Sequence, residues 1–500
     1  MSGSPASDLT ATFRRHEILL VGGSGFLGKV VLGLLLDRFP DLKHLYLLIR
    51  RKGSLAARER FDAETLASPA LEPVAARRGH DFLEERITVL DGDLAEAGCG
   101  LTAEARQRLR GRVSAIINCA GVVDFYPPLD ESFRSNVDGV RNVAALAKDV
   151  GAKIVHISTC FVCGEADGLV EETQPIAGFY PRRKGPADAS FRHEDEIRYS
   201  HERIRQIYDS AGGSANGQPA RPRDLARRLT DLGRQRAEHW GWVNTYTYSK
   251  GLGEQVLAAE PDLDSTIVRP AIIESALRFP FPGWIEGGRT AAPLVLMALG
   301  GMTHWPVRRD APLDVVPVDL VAAAILMVTG LLIEGRHEAV YQLGTADVNP
   351  IRLEPLVALL ARRPQFVSPE EARARRLRLQ KRIQRRQALL AGLRQLLETT
   401  GLPGKGPLAE WALGLRSRGL QAALREQTLD QYLPFILHNR YIFECENIRA
   451  AFAQLSERDR ALLPWDPERI DWHDYWINKQ IKGIERWVQP EAVKEWAVQV

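Results

Sequence analysis

Tyr246 and Lys250 stand four residues apart in the string Tyr246-Thr247-Tyr248-Ser249-Lys250, and that spacing puts both on one face of a helix. A phenol and an ammonium so placed can protonate the oxygen of a carbonyl while hydride reaches its carbon. A phenol titrates near ~10 and is a poor acid at neutral pH. A neighbouring ammonium and the positive nicotinamide of an oxidised cofactor are expected to lower that value. Lys250 can also hold the hydroxyls of a nicotinamide ribose. Thr159 or Ser158, closing an apolar run, can bind the substrate oxygen. Tyr248 is a rival to Tyr246, but it has no lysine four residues on. Asn136 is read either as support for a proton relay through Lys250 or as a helix cap.

These groups need a bound redox partner, and the chain supplies a place for one upstream. Glu17-Ile18-Leu19-Leu20-Val21 suits a buried strand, and Gly22-Gly23-Ser24-Gly25-Phe26-Leu27-Gly28 follows it. Gly22 opens a turn, Gly25 lets backbone approach a pyrophosphate, and Gly28 permits close helix–strand contact. A helix is expected from about Phe26 to Phe39, and its first residues, Phe26 and Leu27, offer free N–H groups to phosphate. The spacing is Gly-x-x-Gly-x-x-Gly rather than the commoner Gly-x-Gly-x-x-Gly.

The second strand, His44 to Ile49, ends not in a ribose-binding acid but in Arg50, Arg51 and Lys52. Cations here suit the 2′-phosphate of NADP, with Arg50 the expected contact, so NADPH is the expected cofactor. A solvated basic loop is the plainer reading. A third strand, Ile87 to Leu94, brings Asp93 and Leu94 toward the adenine. Asp93 could accept from the adenine amino group or cap the next helix. A fourth, Ala115 to Gly121, ends in Asn118, Cys119 and Ala120, small enough for a cofactor to lie close. A fifth runs from Lys153 to Thr159. Strands alternating with helices, Asp138 to Val150 among them, predict an α/β Rossmann-type doubly wound parallel sheet with ligand at the strands' C-terminal ends.

In this order the motifs resemble an extended short-chain dehydrogenase/reductase, and more closely a fatty acyl-CoA reductase. The strings that carry the resemblance are Gly25-Phe26-Leu27-Gly28-Lys29-Val30, Tyr46-Leu47-Leu48-Ile49-Arg50, Ser158-Thr159-Cys160-Phe161-Val162-Cys163-Gly164, Asn244 to Lys250, Ile267-Val268-Arg269-Pro270, Phe281-Pro282-Gly283-Trp284-Ile285 and Val315-Val316-Pro317-Val318-Asp319. Asn439 to Phe443, Leu463 to Pro467 and Ile470 to Tyr475 resemble the family's C-terminal domain. Val21 stands where the family often has threonine, and Phe161 where many members have tyrosine, which leaves Tyr246 the clearer acid. The resemblance implies that NADPH reduces a fatty acyl-CoA or acyl-carrier protein thioester to aldehyde and usually onward to primary alcohol. Thr159, Tyr246 and Lys250 are then the catalytic groups, and Pro270 joins the cofactor contacts.

Composition agrees with a large folded chain. Five hundred residues, 45% hydrophobic and 26% charged, suit two domains rather than disorder. A net charge of +3 gives no indication of nucleic acid. Five cysteines and no secretory leader point to a reducing, cytoplasmic compartment. The apolar stretch Leu320 to Ile333 is shorter than the about 20 residues a span needs, so it reads as a buried helix. Cys160 and Cys163, a lone Cys-x-x-Cys, are weak evidence for zinc; an acyl-accepting thiol is conceivable, but the plainer reading is small thiols that fit the inner end of a strand, and no metal is expected.

The expected organisation has a mobile N-terminus over 1–14 and an NADP-binding reductase domain over 15–355. A polar helical insertion lies near 180–240, either a lid or a surface excursion. A mainly helical C-terminal domain fills 356–500. Within it, 372–397 carries a dense basic face. That face reads as a solvated surface, as a contact for CoA or an acyl carrier, or as a peripheral attachment to anionic membrane.

Overall fold

The computed structural model describes residues 6–488, apart from 174, 186, 213–221, 289, 362, 369, 376, 379–380, 382–384 and 386–424. It contains one large parallel sheet of seven strands: β1 Glu17–Val21, β2 His44–Ile49, β3 Ile87–Asp91, β4 Val113–Asn118, β5 Lys153–Ile157, β6 Ser265–Pro270 and β7 Val340–Leu343. Their order across the sheet is β7-β6-β5-β4-β1-β2-β3. The central strands are mostly apolar and buried because helices cover both faces of a parallel sheet. Every residue of β1 is buried, and Ile18, Leu19 and Leu20 are wholly inaccessible.

The chain leaves β1 in one direction across the sheet, to β2 and β3, and returns on its other side to β4. That reversal opens a crevice beyond the carboxyl ends of β1 and β4, where doubly wound sheets place their ligands. Val21 pairs with Asn118 in this register, and the Cys119 N–H donates to the Val21 carbonyl at 2.9 Å.

The helices used below are α1 Leu9–Arg15, α2 Phe26–Arg38, α3 Leu129–Asn136, α4 Asp138–Val150, α5 His193–Gly212, α6 Pro222–Trp240, α7 Thr245–Ala258 and α8 Val318–Glu334. The expected helices at 26 and 138 start where the sequence placed them. Helix α8 is buried from Val318 to Leu332 and packs on α2. It holds the long apolar stretch as a core helix, and among the described residues no helix is long and apolar enough to cross a membrane.

Contacts divide the chain into two compact units. One comprises Met1–Ala291, Asp314–Pro350 and Tyr441–Glu491; the other comprises Ala292–Leu313 and Ile351–Arg440. The expected boundary at 355/356 does not coincide with this division, because the described part of 441–491 packs into the first unit. Tyr475 donates its phenol to the Ser275 carbonyl at 2.7 Å, and Trp476 is fully buried. The expectation of a mobile segment over 1–14 is also corrected from residue 7 onward. The Ser7 N–H donates to the Gln454 carbonyl at 2.9 Å, the Leu9 N–H to Asp459 Oδ2 at 2.8 Å, and Leu9 and Phe13 are buried. The apolar spacing of Leu9 and Phe13 makes α1 amphipathic, a signal a reading by polarity passes over.

Candidate active site

The glycine turn follows β1 without a side chain to spare. Gly22 has φ +85°, and a Cβ there would lie 2.6 Å from the Ala120 nitrogen and 2.8 Å from the Cys119 carbonyl carbon. A Cβ on Gly28 would sit 2.1 Å from the Gly22 carbonyl oxygen. The turn is therefore pressed both onto the end of β4 and onto its own helix, which is why three glycines recur there. Gly25 is the N-cap of α2, and no side chain accepts from the helix's first N–H groups. The first turn, at Phe26, Leu27 and Gly28, thus keeps free donors and a positive dipole end, the form of an anion site. These features fit a dinucleotide pyrophosphate.

At the end of β2 the three expected cations behave differently. Arg51 pairs with Asp91, and Lys52 Nζ lies 2.8 Å from Glu64. Arg50 is largely exposed, with Asp93 Oδ2 3.8 Å from its guanidinium. A residue that the sequence reading missed stands beside it. Arg60 donates to the Arg50 carbonyl at 2.8 Å, to Glu64 at 2.8 Å and toward Ser24 Oγ at 3.4 Å, so it bridges the strand end and the glycine turn. Only its i,i+4 relation to Glu64 is visible in the sequence; the fold brings it back to Ser24. Asp93 holds its own backbone, its Oδ1 accepting from the Ala95 N–H at 2.9 Å, while Oδ2 takes Arg134 at 3.1 Å. It closes a turn through its own backbone and caps no helix, so its helix-capping reading is not met. Leu94 lies against Gly139, where a Cβ would be 1.9 Å from its Cδ1. Asn118 Oδ1 accepts from the Ala120 N–H at 3.2 Å, fixing the small-residue turn that Gly22 abuts.

The reacting groups gather at the ends of β5 and β6. Thr159 follows β5, and its hydroxyl donates to the Pro270 carbonyl at 3.4 Å, at the end of β6. Helix α7 is capped by Asn244, whose Oδ1 accepts from the Thr247 N–H at 2.8 Å. Its glycines allow close approach: a Cβ on Gly253 would stand 2.2 Å from the Asn136 carbonyl of α3. This packing sets Tyr246 and Lys250 over the strand ends. The Thr159 side chain lies beside the Tyr246 phenol and favours its ionised form. Thr159, Tyr246, Lys250 and Pro270 therefore converge, as expected from sequence.

Two expectations about protons are revised. Burial pushes the Tyr246 phenol up to about 12, with Thr159 pulling the other way. The Lys250 ammonium does not reach the phenol; it donates to the Ile157 carbonyl at 2.5 Å. Burial holds Lys250 down to about 8, against the attraction of Glu254. Tyr246 therefore keeps its proton throughout the neutral range, the state that a proton donor needs. Asn136 caps no helix; it donates to the Ser249 hydroxyl at 3.0 Å, next to Lys250, with no hydrogen bond to Lys250 itself among the described residues. Its amide pairs in both directions with Val122, accepting from its N–H and donating to its carbonyl, each at 2.9 Å, and pins the chain beyond β4.

The two cysteines are packed as small buried side chains, as their plainer reading had it, and the acyl-accepting role is not supported. Cys160 and Cys163 are buried and burial raises both pKa values, that of Cys163 to about 12. Cys160 Sγ donates to the Arg269 carbonyl at 2.7 Å. Neither is a nucleophile, and among the described residues no cluster could hold a metal ion. Phe161, the departure from the family pattern, packs edge-on against Tyr441 and Phe443.

Tyr248 is excluded as the acid by its surroundings. It is fully buried, donates to Glu196 of α5 at 2.5 Å and lies 3.1 Å from Ser200 Oγ. Glu196 in turn receives Arg236 of α6 at 2.9 and 2.6 Å. Helices α5 and α6 are the expected insertion. They pack on α7 rather than standing off as a surface excursion; the expected flexible middle at 213–217 lies outside the described residues.

The remaining family strings also have places. Asp319 accepts from the Leu277, Arg278 and Phe279 N–H groups at 2.7, 2.8 and 3.1 Å and so fixes the loop leading to Phe281–Ile285. Trp284 from that loop stacks 5.2 Å from Phe26, and Glu286 pairs with buried Lys29 at 2.7 Å, over the first turns of α2.

With this geometry established, comparison with known proteins settles the family. A family model described as male sterility protein, an NAD-binding domain, matches residues 20–325. The chain belongs to that family. It is also similar, along nearly its whole length, to fatty acyl-CoA reductases. A probable fatty acyl-CoA reductase 5 of Arabidopsis thaliana is 27% identical, over 94% of this chain and 97% of that protein. The alcohol-forming fatty acyl-CoA reductase of Simmondsia chinensis is 26% identical, over 93% and 96%. Among solved structures, the terminal R domain from the myxalamid PKS-NRPS biosynthetic pathway aligns with TM-score 0.52 at 17% identity, covering 91% of this chain and 86% of that one. The reductase domain of a non-ribosomal peptide synthetase from Mycobacterium tuberculosis aligns with TM-score 0.51 at 21% identity, covering 95% of each. The family member described here thus has the Rossmann fold of short-chain reductases, a nicotinamide cofactor site and the residues of an oxidoreductase.

Proposed function

We propose that this protein uses NADPH to reduce a long-chain fatty acyl thioester to the aldehyde and then to the primary alcohol. The observation that carries the reading is the placing of the Tyr246 phenol beside Thr159 at the C-terminal ends of the strands, with Lys250 one helical turn further on and its ammonium on the Ile157 carbonyl. The full-length similarity to fatty acyl-CoA reductases supports the thioester as substrate. Bound NADPH would supply hydride to the thioester carbon, the carrier leaving as its thiolate when the C–S bond breaks to give the aldehyde, and a second NADPH would supply hydride to the aldehyde. Thr159 and Tyr246 together donate to the substrate oxygen, in the thioester and again in the aldehyde, and stabilise the charge that grows there. Tyr246 delivers the proton that completes the alcohol. Lys250 orients the ribose beside the nicotinamide, and the Phe161 N–H keeps the Thr159 oxygen in place while its hydrogen turns from the Pro270 carbonyl to the substrate oxygen. Arg50 and Arg60, neighbours at the end of β2, favour the 2′-phosphate of NADPH over NADH.

The test is NADPH oxidation with palmitoyl-CoA, followed by chromatography of the products. About two NADPH consumed per alcohol, with little aldehyde trapped by a hydrazine reagent, is the expected result. One NADPH per thioester with stoichiometric trapped aldehyde would make the aldehyde the product. No oxidation with any acyl-CoA or acyl-carrier thioester would remove the reading altogether.

A further inference from the structure

Lys29 is a cation in a place that disfavours one. It follows the first turn of α2 and is buried, with 5% of its side chain exposed. A helical side chain covers the turn N-terminal to its own Cα. The Lys29 stem therefore runs back over Phe26, Leu27 and Gly28, where the free N–H groups and the positive end of the helix dipole already lie. A buried ammonium beside that dipole end is costly unless an anion answers it. Among the described residues the answer comes from Glu286, whose Oε1 and Oε2 accept from the Lys29 ammonium at 2.7 and 2.8 Å.

The two partners are held differently. The chain leading to Glu286 is anchored: the Ala276 N–H donates to the Trp284 carbonyl at 2.9 Å, the Gly283 N–H donates to the Ala276 carbonyl at 2.8 Å, and Trp284 and Ile285 are buried. Trp284 stacks on Phe26, the first residue of α2, and so fixes this chain beside the pyrophosphate site. Beyond Ile285 the support ends. Residues 286–288 are exposed, Gly287 has φ +83°, and open space lies where its Cβ would be. The Glu286 side chain is 44% exposed, so its carboxylate has a way into water that the Lys29 ammonium lacks.

We propose that Glu286 is an internal stand-in for the cofactor's pyrophosphate. It neutralises Lys29 in the free protein, gives way to the phosphates when a dinucleotide binds, and returns to Lys29 as the spent dinucleotide leaves. A returning carboxylate speeds that departure, which a reaction using two cofactors in succession requires. The exchange rests on the nicotinamide cofactor site; its use between two hydride steps rests on the reaction proposed above.

The experiment is titration calorimetry of the full chain with NADP and, in parallel, with NAD, since both carry the pyrophosphate. Lys29→Met should weaken each at least about tenfold, as loss of a charge-assisted contact does. Glu286→Gln should act in the opposite direction, tightening each about threefold or more and slowing its release in stopped-flow fluorescence, because a competing anion is gone. A pair that merely braced the loop would lose affinity in both variants. Glu286→Gln also leaves the Lys29 charge unanswered in the free protein. Its melting temperature should therefore drop, and NADP should raise it by more than it raises that of wild type. One measurement needs no variant to fold: a glutamate-specific protease should cut wild type after Glu286 faster with saturating NADP than without, since the carboxylate is then released from Lys29. Weaker or unchanged binding in Glu286→Gln, unchanged binding in Lys29→Met, or cleavage that NADP slows or leaves alone overturns the exchange. So does a Lys29→Met loss confined to NADP, which would place that ammonium at the 2′-phosphate. No acyl thioester enters these measurements, so a wild type that reduces no palmitoyl-CoA would remove the proposed reaction and leave the exchange standing.

Discussion

The two faces of α7 carry a tyrosine each, two residues apart, and they have different neighbours. Tyr246 faces the strand ends, half-buried, with Thr159 beside its phenol and Lys250 one turn on. Tyr248 faces the α5–α6 hairpin, wholly buried, with Glu196 and Ser200 on its phenol and Arg236 behind Glu196. In both places burial raises the phenol's pKa, and at Tyr248 the Glu196 carboxylate raises it further. What separates a proton donor from a structural strut is therefore not acidity. It is whether a reacting oxygen can approach. Tyr246 opens onto the crevice; the hydroxyl of Tyr248 is already enclosed by partners from another helix pair.

The largest effect should come from the open face. Tyr246→Phe removes the donor and leaves the ring, so turnover should fall at least about a hundredfold. Cofactor affinity, followed by quenching of intrinsic fluorescence, should persist, and so should the melting temperature. Near-normal turnover in this variant would mean that the acid lies elsewhere, and would break the contrast between the faces.

Lys250 sharpens the same face through pH. Its ammonium is held down to about 8 by burial, from an ordinary value of 10.5. If the charged form is what orients the ribose, kcat/KM should be level below about 8. It should fall about tenfold per unit as pH rises above that value. Tyr246, pushed up to about 12, adds no limb in that range. Linkage gives the matching sign for stability: the native state binds fewer protons than the unfolded chain between about 8 and 10.5, so Lys250's burial penalty is present below 8 and relieved as pH climbs through that window. Lys250→Arg should remove the descending limb while lowering the plateau. A limb that stays at about 8 in that variant would belong to another group.

Away from α7, the adenosine end should respond more mildly. Arg50→Ala and Arg60→Ala are each expected to weaken NADPH about tenfold, with little change for NADH, because the lost contact is a charge-assisted bond to phosphate. Isothermal titration with both cofactors decides this. Equal losses for the two would make Arg50 or Arg60 a support of the turn rather than a reader of the phosphate.

These residues also mark how far the chain could be read in advance. The glycine turn, the apolar runs of β1 to β5 and the Tyr-x-x-x-Lys spacing are local signals, each decided by sterics or periodicity within a few residues. Gly22 and Gly28 were legible because no other residue fits beside Ala120 and under the turn. Arg60 was not, since its meaning lies in reaching Ser24, 36 residues away. The Tyr248–Glu196 bond spans 52 positions and the Arg236–Glu196 pair spans 40, so no window of sequence contains them. The segment from Tyr441 onward resembled a separate C-terminal domain because its neighbours in sequence are helical. Its partners, among them Ser275, lie up to 200 residues back.

The smallest catalytic effect is expected at Tyr248. Tyr248→Phe leaves the ring against Phe133 and Trp242 and removes one hydroxyl. Glu196 keeps both Arg236 bonds, so no carboxylate is stranded without a cation. The loss is the buried hydrogen bond to charged Glu196 and the weaker contact with Ser200, whose hydroxyl keeps Glu196 as a partner, about 1.5–3 kcal/mol of stability, read as a lower midpoint in urea with an unchanged slope. Turnover at a temperature where the variant is folded should stay within about threefold of wild type, because α7 is still capped by Asn244 and still closed onto α3 at Gly253. A hundredfold loss of turnover with normal stability would reverse the assignment of the two faces. A loss of both would mean that the α5–α6 hairpin holds Tyr246 in register through Tyr248, and restoring the hairpin contact by a different residue should then recover activity.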